Sequence, residues 1–247
     1  MKRIFTALAV LLMLFLLTPV QAKDVENTDS PQYGAFELKF GPYKPAVDDN
    51  PSLRGRPYKD VFNDDTMFLT VLELDWQFIH PPGFSLGVGG SVGFMQTYAR
   101  SAIEGSDDEK SVDYTVLNII PFSALLVARV DALPTYANFP LVPYFKIGFN
   151  WYLYWILAGG DTAVIDGKKG RGGTLGWQFS PGLALQLDRF DRKSARTFDN
   201  EVGVNHSYIF VEFLWAFVNR FGDDDYMNFS TNTFGKATIM GGLALEF

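Results

Sequence analysis

Hydrophobic and polar residues alternate in eight stretches of the chain, at roughly 33–41, 67–79, 84–98, 113–130, 143–157, 174–188, 204–219 and 234–247. A period of two predicts strands, because successive side chains leave a strand on opposite faces. The last stretch shows it most plainly. Ala237, Ile239, Gly241, Leu243, Leu245 and Phe247 fall on one side, and Lys236, Thr238, Met240, Gly242, Ala244 and Glu246 on the other. The expected fold class is all-β, an eight-stranded antiparallel barrel.

The two faces differ in bulk. One carries Phe68, Leu72, Leu74, Trp76 and Phe78 on the second strand, and Phe145, Ile147, Phe149, Trp151, Leu153 and Trp155 on the fifth. On the sixth it carries Leu175, Trp177, Phe179, Leu183, Leu185 and Leu187, and on the seventh Ile209, Val211, Phe213, Trp215 and Phe217. All five tryptophans share this parity. The opposite parity holds Glu73, Asp75, Gln77, Lys146, Asn150, Gln178, Gln186, His206 and Glu212. An eight-stranded barrel has an interior just wide enough for side chains to fill. It cannot hold the bulky set, so that set is expected to meet lipid and the polar set to fill the lumen. A soluble barrel with the faces exchanged is the alternative. On strand 84–98 the inward positions are Ser85, Gly87, Gly89, Ser91 and Gly93, which leaves room for Tyr152, Tyr154, Tyr208 and Phe210. Strand 113–130 holds no single parity, and Pro121 predicts a bulge there that swaps the faces, since proline gives no donor to the ladder.

The connections alternate in character. Segments 42–66, 99–112, 158–173 and 220–233 are polar and rich in Gly, Asp and Asn, whereas His80-Pro81-Pro82-Gly83 is a tight turn. With both chain ends periplasmic, the long segments become extracellular loops, the usual arrangement for such barrels. Segment 131–142 is a medium-length link with two prolines. Segment 188–203 is longer and predicts a short periplasmic helix or linker between strands six and seven.

At the other end, Lys2 and Arg3 precede an apolar run from Ile4 to Leu17 and the small-residue site Val20-Gln21-Ala22. This predicts a secretory signal peptide over 1–22 and a barrel domain over 23–247. The run is shorter than the ~20 residues of a spanning helix. Losing Lys2 and Arg3 takes the formal charge from −7 to −9, which disfavours nucleic acid as a partner. With no cysteine there is no disulfide framework, thiolate metal site or cysteine nucleophile. Sixteen per cent aromatic residues and 23 glycines, without a long apolar run after residue 22, again favour strands that close on themselves in lipid.

Candidate chemistry is sparse. His206, Ser207 and Glu212 invite a hydrolase reading, but His206 and Ser207 are adjacent and so point to opposite faces. Asp107-Asp108-Glu109 and Asp223-Asp224-Asp225 lack the ligand spacing of a calcium loop. Lys168-Lys169-Gly170-Arg171 reads as an exposed loop tip. No phosphate-binding loop, dinucleotide fingerprint or zinc spacing occurs. No catalytic residue, metal ligand or cofactor is expected. The inward parity does collect Glu37, Lys39, Glu73, Asp75, Arg129, Lys146 and Glu212. Buried charges must be paired or neutralised, so these seven are expected to form a network that plugs the lumen or lines a narrow ion path.

Several motifs carry a resemblance. They are Gly41-Pro42-Tyr43-Lys44-Pro45 with Asp48, Tyr58-Lys59-Asp60-Val61-Phe62, and Pro143-Tyr144-Phe145-Lys146-Ile147-Gly148. Gly172-Gly173-Thr174-Leu175-Gly176-Trp177 and Gly203-Val204-Asn205-His206-Ser207-Tyr208 complete the set. On these the chain from Tyr33 to Phe247 resembles small outer-membrane β-barrel proteins of myxobacteria and related delta-type proteobacteria, and in architecture OmpA- and OmpX-type barrels. The strand ending in Leu243, Leu245 and Phe247 resembles the terminal signal read by the barrel assembly machinery. The resemblance implies residence in the bacterial outer membrane, contact with its lipids, a monomer, and a structural or surface-interaction role without enzymatic activity. A narrow OmpW-like, porin-like channel for small solutes is the runner-up, and a lipid-modifying outer-membrane hydrolase the third reading.

Overall fold

The structure, a computed structural model, describes residues 33–102, 110–165, 167–190 and 201–247. The signal peptide expected over 1–22 and most of the helix expected in 188–203 lie outside them. Eight long strands follow in order: β1 (Gly34–Tyr43), β2 (Met67–Ile79), β3 (Ser85–Ala102), β4 (Lys110–Arg129), β5 (Leu141–Ala158), β6 (Arg171–Gln186), β7 (His206–Phe217) and β8 (Thr238–Glu246). Each pairs antiparallel with its sequence neighbours, and β8 pairs with β1 from Ala35↔Glu246 to Phe40↔Gly241. The sheet closes without an edge, so every strand meets a backbone partner on both sides.

The β2–β3, β4–β5 and β6–β7 connections gather at one mouth, the turn side, and the β1–β2, β3–β4, β5–β6 and β7–β8 connections at the other, the loop side. The tightest runs from Pro81 to Phe84. Phe84 N–H donates to the Pro81 carbonyl at 3.0 Å, with Pro82 second and Gly83 third at φ +86°, the dihedral that suits a type II turn. Link 131–142 contains a helix the alternation does not reveal, α1 (Ala132–Ala137), ended by Asn138 at φ +54°. Tyr136 of this helix donates to the Pro82 carbonyl at 3.0 Å and packs over Gly83, where a Cβ would meet its ring.

The loop side is folded over. In 44–66 a second helix, α2 (Pro57–Phe62), opens with proline at its first position. Asp48 accepts from the backbone N–H of Tyr58 at 2.7 Å and of Lys59 at 3.0 Å, filling donors that no helical carbonyl reaches. Asn50 Nδ2 donates to the carbonyls of Asp224 and Tyr226, which ties this segment to the β7–β8 connection. Val47, Tyr58, Phe62 and Phe229 then enter an apolar core with Tyr43, Met95, Ile119 and Tyr152. The segment that reads as a polar loop is a cap.

Two expectations are corrected. The bulge predicted at Pro121 is absent. The β4–β5 register runs unbroken from Thr115↔Ala158 to Arg129↔Tyr144. The β3–β4 register is the same before and after the proline, at Met95↔Ile119 and Val92↔Phe122. Parity is obscured because the loop-side lumen is apolar, so Leu117 and Ile119 face in while Ile120 and Phe122 face out. Tyr152, Tyr208 and Phe210 are buried in the lumen, but the atoms nearest Gly89 and Gly93 come from neighbouring strands. Asp75 occupies the position a Gly89 Cβ would need, and Val71 and Pro121 crowd Gly93. All three are on the adjacent strands β2 and β4, which reach β3 first. Tyr144 instead covers Gly182, and Phe210 covers Gly242.

Candidate functional site

The faces settle what the barrel is built to sit in. Phe149 is 70% exposed and Trp76 61%, whereas Lys146 is 0% and Glu73 1%. Charge lies inside and aromatic bulk outside, the reverse of a water-soluble protein. Such an apolar belt around a closed sheet is stable where lipid surrounds it. The chain is a transmembrane β-barrel of the bacterial outer-membrane type.

All seven charged residues expected to face the lumen are buried, and the structure joins them into one network. Nearest the turn side, Arg129 spreads its guanidinium over three carboxylates. Nη1 lies 2.9 Å from Glu246 Oε1, and Nη2 lies 2.6 Å from Glu37 Oε1 and 3.3 Å from Asp75 Oδ2. Planar, multi-donor guanidinium suits this bridging role. In the middle, Lys146 Nζ lies 2.5 Å from Glu37 Oε2 and also contacts Glu73. Its ammonium stands 5.2 Å from the Tyr144 ring. Further on, Lys39 Nζ lies 2.6 Å from Glu73 Oε2 and 3.1 Å from Glu212 Oε1. Tyr144 donates to Glu212 at 3.2 Å.

Glu246 belongs to this network although the sequence reading leaves it out. It accepts from Gln77 at 3.0 Å and Tyr208 at 2.6 Å besides Arg129. Its signal was present in the alternation, because Glu246 sits between outward Leu245 and Phe247. Six strands thus meet around three cations and five carboxylates. The β3 glycines make this possible, since any larger inward residue there would displace Asp75. Glu37, Glu73 and Asp75 bring oxygens within 4.8 Å of one another, a grouping that could hold a metal by geometry alone. Each of the three carboxylates is already paired with Lys146, Arg129 or Lys39, so the cluster is charge-paired. Between the network and the apolar core lies a cavity of about 20 Å³ lined by Lys39, Glu212, Gln178, Ser91, Ser123 and Tyr152, among others. That is room for about one water.

No sequence family matches the chain, and no curated protein matches it. Among solved structures it is similar to Ail, the attachment invasion locus protein of Yersinia pestis, at 11% identity and a TM-score of 0.44, over 87% of this chain and 99% of that one. It is also similar to Neisserial surface protein A, at 8% and 0.43 over 90% and 100%. The outer membrane protein OprG from Pseudomonas aeruginosa gives 12% and 0.43 over 91% and 99%.

His206 Nδ1 lies 2.8 Å from Asp188 Oδ2, and Ser207 Oγ donates to Asp188 Oδ1 at 2.8 Å. Both side chains meet one carboxylate at the turn-side mouth, His206 Nδ1 also lying 2.9 Å from Gln186 Nε2, and the serine is bonded to the acid rather than to the imidazole. Burial works against the Asp188 charge, but the hydrogen bonds from His206 and Ser207 hold its carboxyl below the usual range. Asp223, Asp224 and Asp225 are exposed on the cap, while 107–109 lies outside the described residues. Lys168–Lys169 pairs with Val164–Ile165 in a two-stranded ribbon. Leu243 and Phe247 face outward, and Phe247 closes the β1–β8 seam by accepting from the N–H groups of Tyr33 and Gly34.

Asp131, just past β4 at the turn-side mouth, is pushed up to about 6. Burial is the main cause, and the Glu246 carboxylate adds to it against the pull of Arg129. An acid raised in the folded state is stabilising while it stays protonated. Its contribution is full below the ordinary aspartate value and is lost as pH rises through about 6. Asp131→Asn should therefore flatten the stability profile between about pH 4 and 6, with its gain over wild type appearing above that window. Unfolding midpoints of both proteins across the window check this.

Proposed function

We propose that this protein is a closed, monomeric barrel of the bacterial outer membrane. Its folded loop side serves surface structure or interaction, without enzymatic activity or solute conduction. The observation that carries the reading is the continuous buried network from Gln77 and Glu246 through Arg129, Glu37, Lys146, Glu73 and Lys39 to Glu212, with the apolar cap behind it. An ion crossing the lumen would have to part several charge pairs in succession and then enter an apolar layer, at a cost of several kcal/mol for each desolvated charge. In this reading the loop side is extracellular and 1–22 is a cleaved leader. The edge formed by Leu243, Leu245 and Phe247 is what the assembly machinery recognises. Kinship with the small myxobacterial barrels belongs to the same proposal. Several of the shared motifs fall where the cap meets the barrel: Tyr43 donates to the Phe229 carbonyl at 2.5 Å, Asp48 caps α2, and Tyr58 is buried.

Planar-bilayer recording of the purified, folded protein tests it. No resolved single-channel steps are expected. Reproducible steps from wild type would favour the narrow channel instead.

A further inference from the structure

Among the described residues the two rims of the apolar belt differ. On the turn side the outer surface ends in Tyr33, Phe78, Phe139, Phe190 and Phe247. Arg189 is the described cation there outside the lumen, and it is bonded to Asn138 and to the Pro134 carbonyl. On the loop side the outward positions pass from apolar to cationic. Along β3, Phe94 is followed outward by Gln96, Tyr98 and Arg100. Across the register Arg100 faces Tyr114, and Gln96 connects through Asn118 and Trp155 to Arg171.

These positions are built rather than scattered. The Arg100 guanidinium stands 6.0 Å from the Tyr114 ring, which packs edge-on against Tyr98 at 6.3 Å. Gln96 donates to Asn118 at 2.6 Å, so polar groups at the belt edge satisfy each other. Arg100 and Arg171 are exposed, and neither meets a carboxylate among the described residues. By contrast Lys44, on the opposite side of the rim, is held by Asp64 at 2.5 Å. In a chain of net charge −7, two arginines that meet no carboxylate among the described residues, just beyond a lipid-facing belt, call for an anion at that level.

We propose that Arg100 and Arg171 bind phosphate groups of phosphorylated lipids in the leaflet at the loop side, each arginine serving a separate headgroup. Guanidinium pairs with phosphate oxygens in bidentate fashion. Tyr98, Tyr114 and Trp155 provide amphipathic surface at headgroup level, and the acyl chains run down the belt over Phe94, Ile120 and Leu153. The partner is an anionic phosphoryl amphiphile, not free phosphate, because the arginines sit directly above the apolar wall that would hold its chains. The proposal rests on the outer-membrane reading and deepens it.

The test uses the folded protein in phosphatidylcholine nanodiscs containing bis-phosphorylated lipid A as probe, with native mass spectrometry counting retained lipid. Wild type should retain lipid A in preference to its dephosphorylated form, and excess inorganic phosphate should not displace it. Arg100→Gln with Arg171→Gln should lower the preference about thirtyfold, as expected for two cations at an anionic surface. Lys44→Gln should leave it unchanged. Equal retention by the double variant, or equal retention of the dephosphorylated lipid, would overturn the proposal. Insertion into discs without lipid A and the boiled-versus-unboiled gel shift report the barrel reading separately, so the two can fail independently.

Discussion

Lys146→Met destabilises the folded barrel by about 3–5 kcal/mol, the range for removing one partner of a buried charge network. The side chains are similar in length, so little volume is lost. What remains is Glu37 and Glu73, both nearly inaccessible to water, with one cation fewer. Lys39 and Arg129 stay close to them, but three cations already face five carboxylates in wild type. Adding Glu73→Gln should recover part of the loss, since it removes the charge left without Lys146. Reversible guanidinium unfolding in detergent micelles measures all three proteins. A Lys146→Met barrel as stable as wild type would mean that the lumen is hydrated and the network is loose.

Val211→Arg is the second large effect. Val211 lies near the middle of β7, pairs with Gly241 and Leu183, and is 42% exposed on the outer face. A cation there costs about 2–4 kcal/mol at the bilayer midplane. Glu212, the next residue, is 1% exposed and points into the lumen. Glu212→Gln keeps its volume and an acceptor for Tyr144, leaves Lys39 paired with Glu73, and lowers the carboxylate excess by one. Unfolding free energies in lipid bilayers should rank Val211→Arg well below Glu212→Gln. The opposite ranking would put the wrong face toward the lipid.

Much of this was legible in the alternation, and the exceptions have physical causes. Strands are easy to read where one face meets lipid and the other a charged lumen, as in β2, β5 and β7. Legibility fails on β4, where the lumen turns apolar and both faces carry Leu and Ile. The seven inward charges could be named from parity alone. Their partners could not, because Arg129 of β4 meets Glu246 of β8 only after the barrel closes. The cap was hidden because its helix is six residues long, too short for a periodic signal, and its capping carboxylate is ten residues upstream. Asp188 escaped notice because its role depends on His206 and Ser207, which reach it from the next strand.

The most direct test of the account uses the five native tryptophans, Trp76, Trp151, Trp155, Trp177 and Trp215, all on the outward parity. Purified protein is refolded into bilayers whose acyl chains carry bromine, and its fluorescence is compared with that in unbrominated bilayers and under aqueous acrylamide. Strong quenching by the brominated chains and weak quenching by acrylamide is the predicted result. Strong quenching by acrylamide with none from brominated lipid would contradict it, and with it the assignment of every face in the barrel.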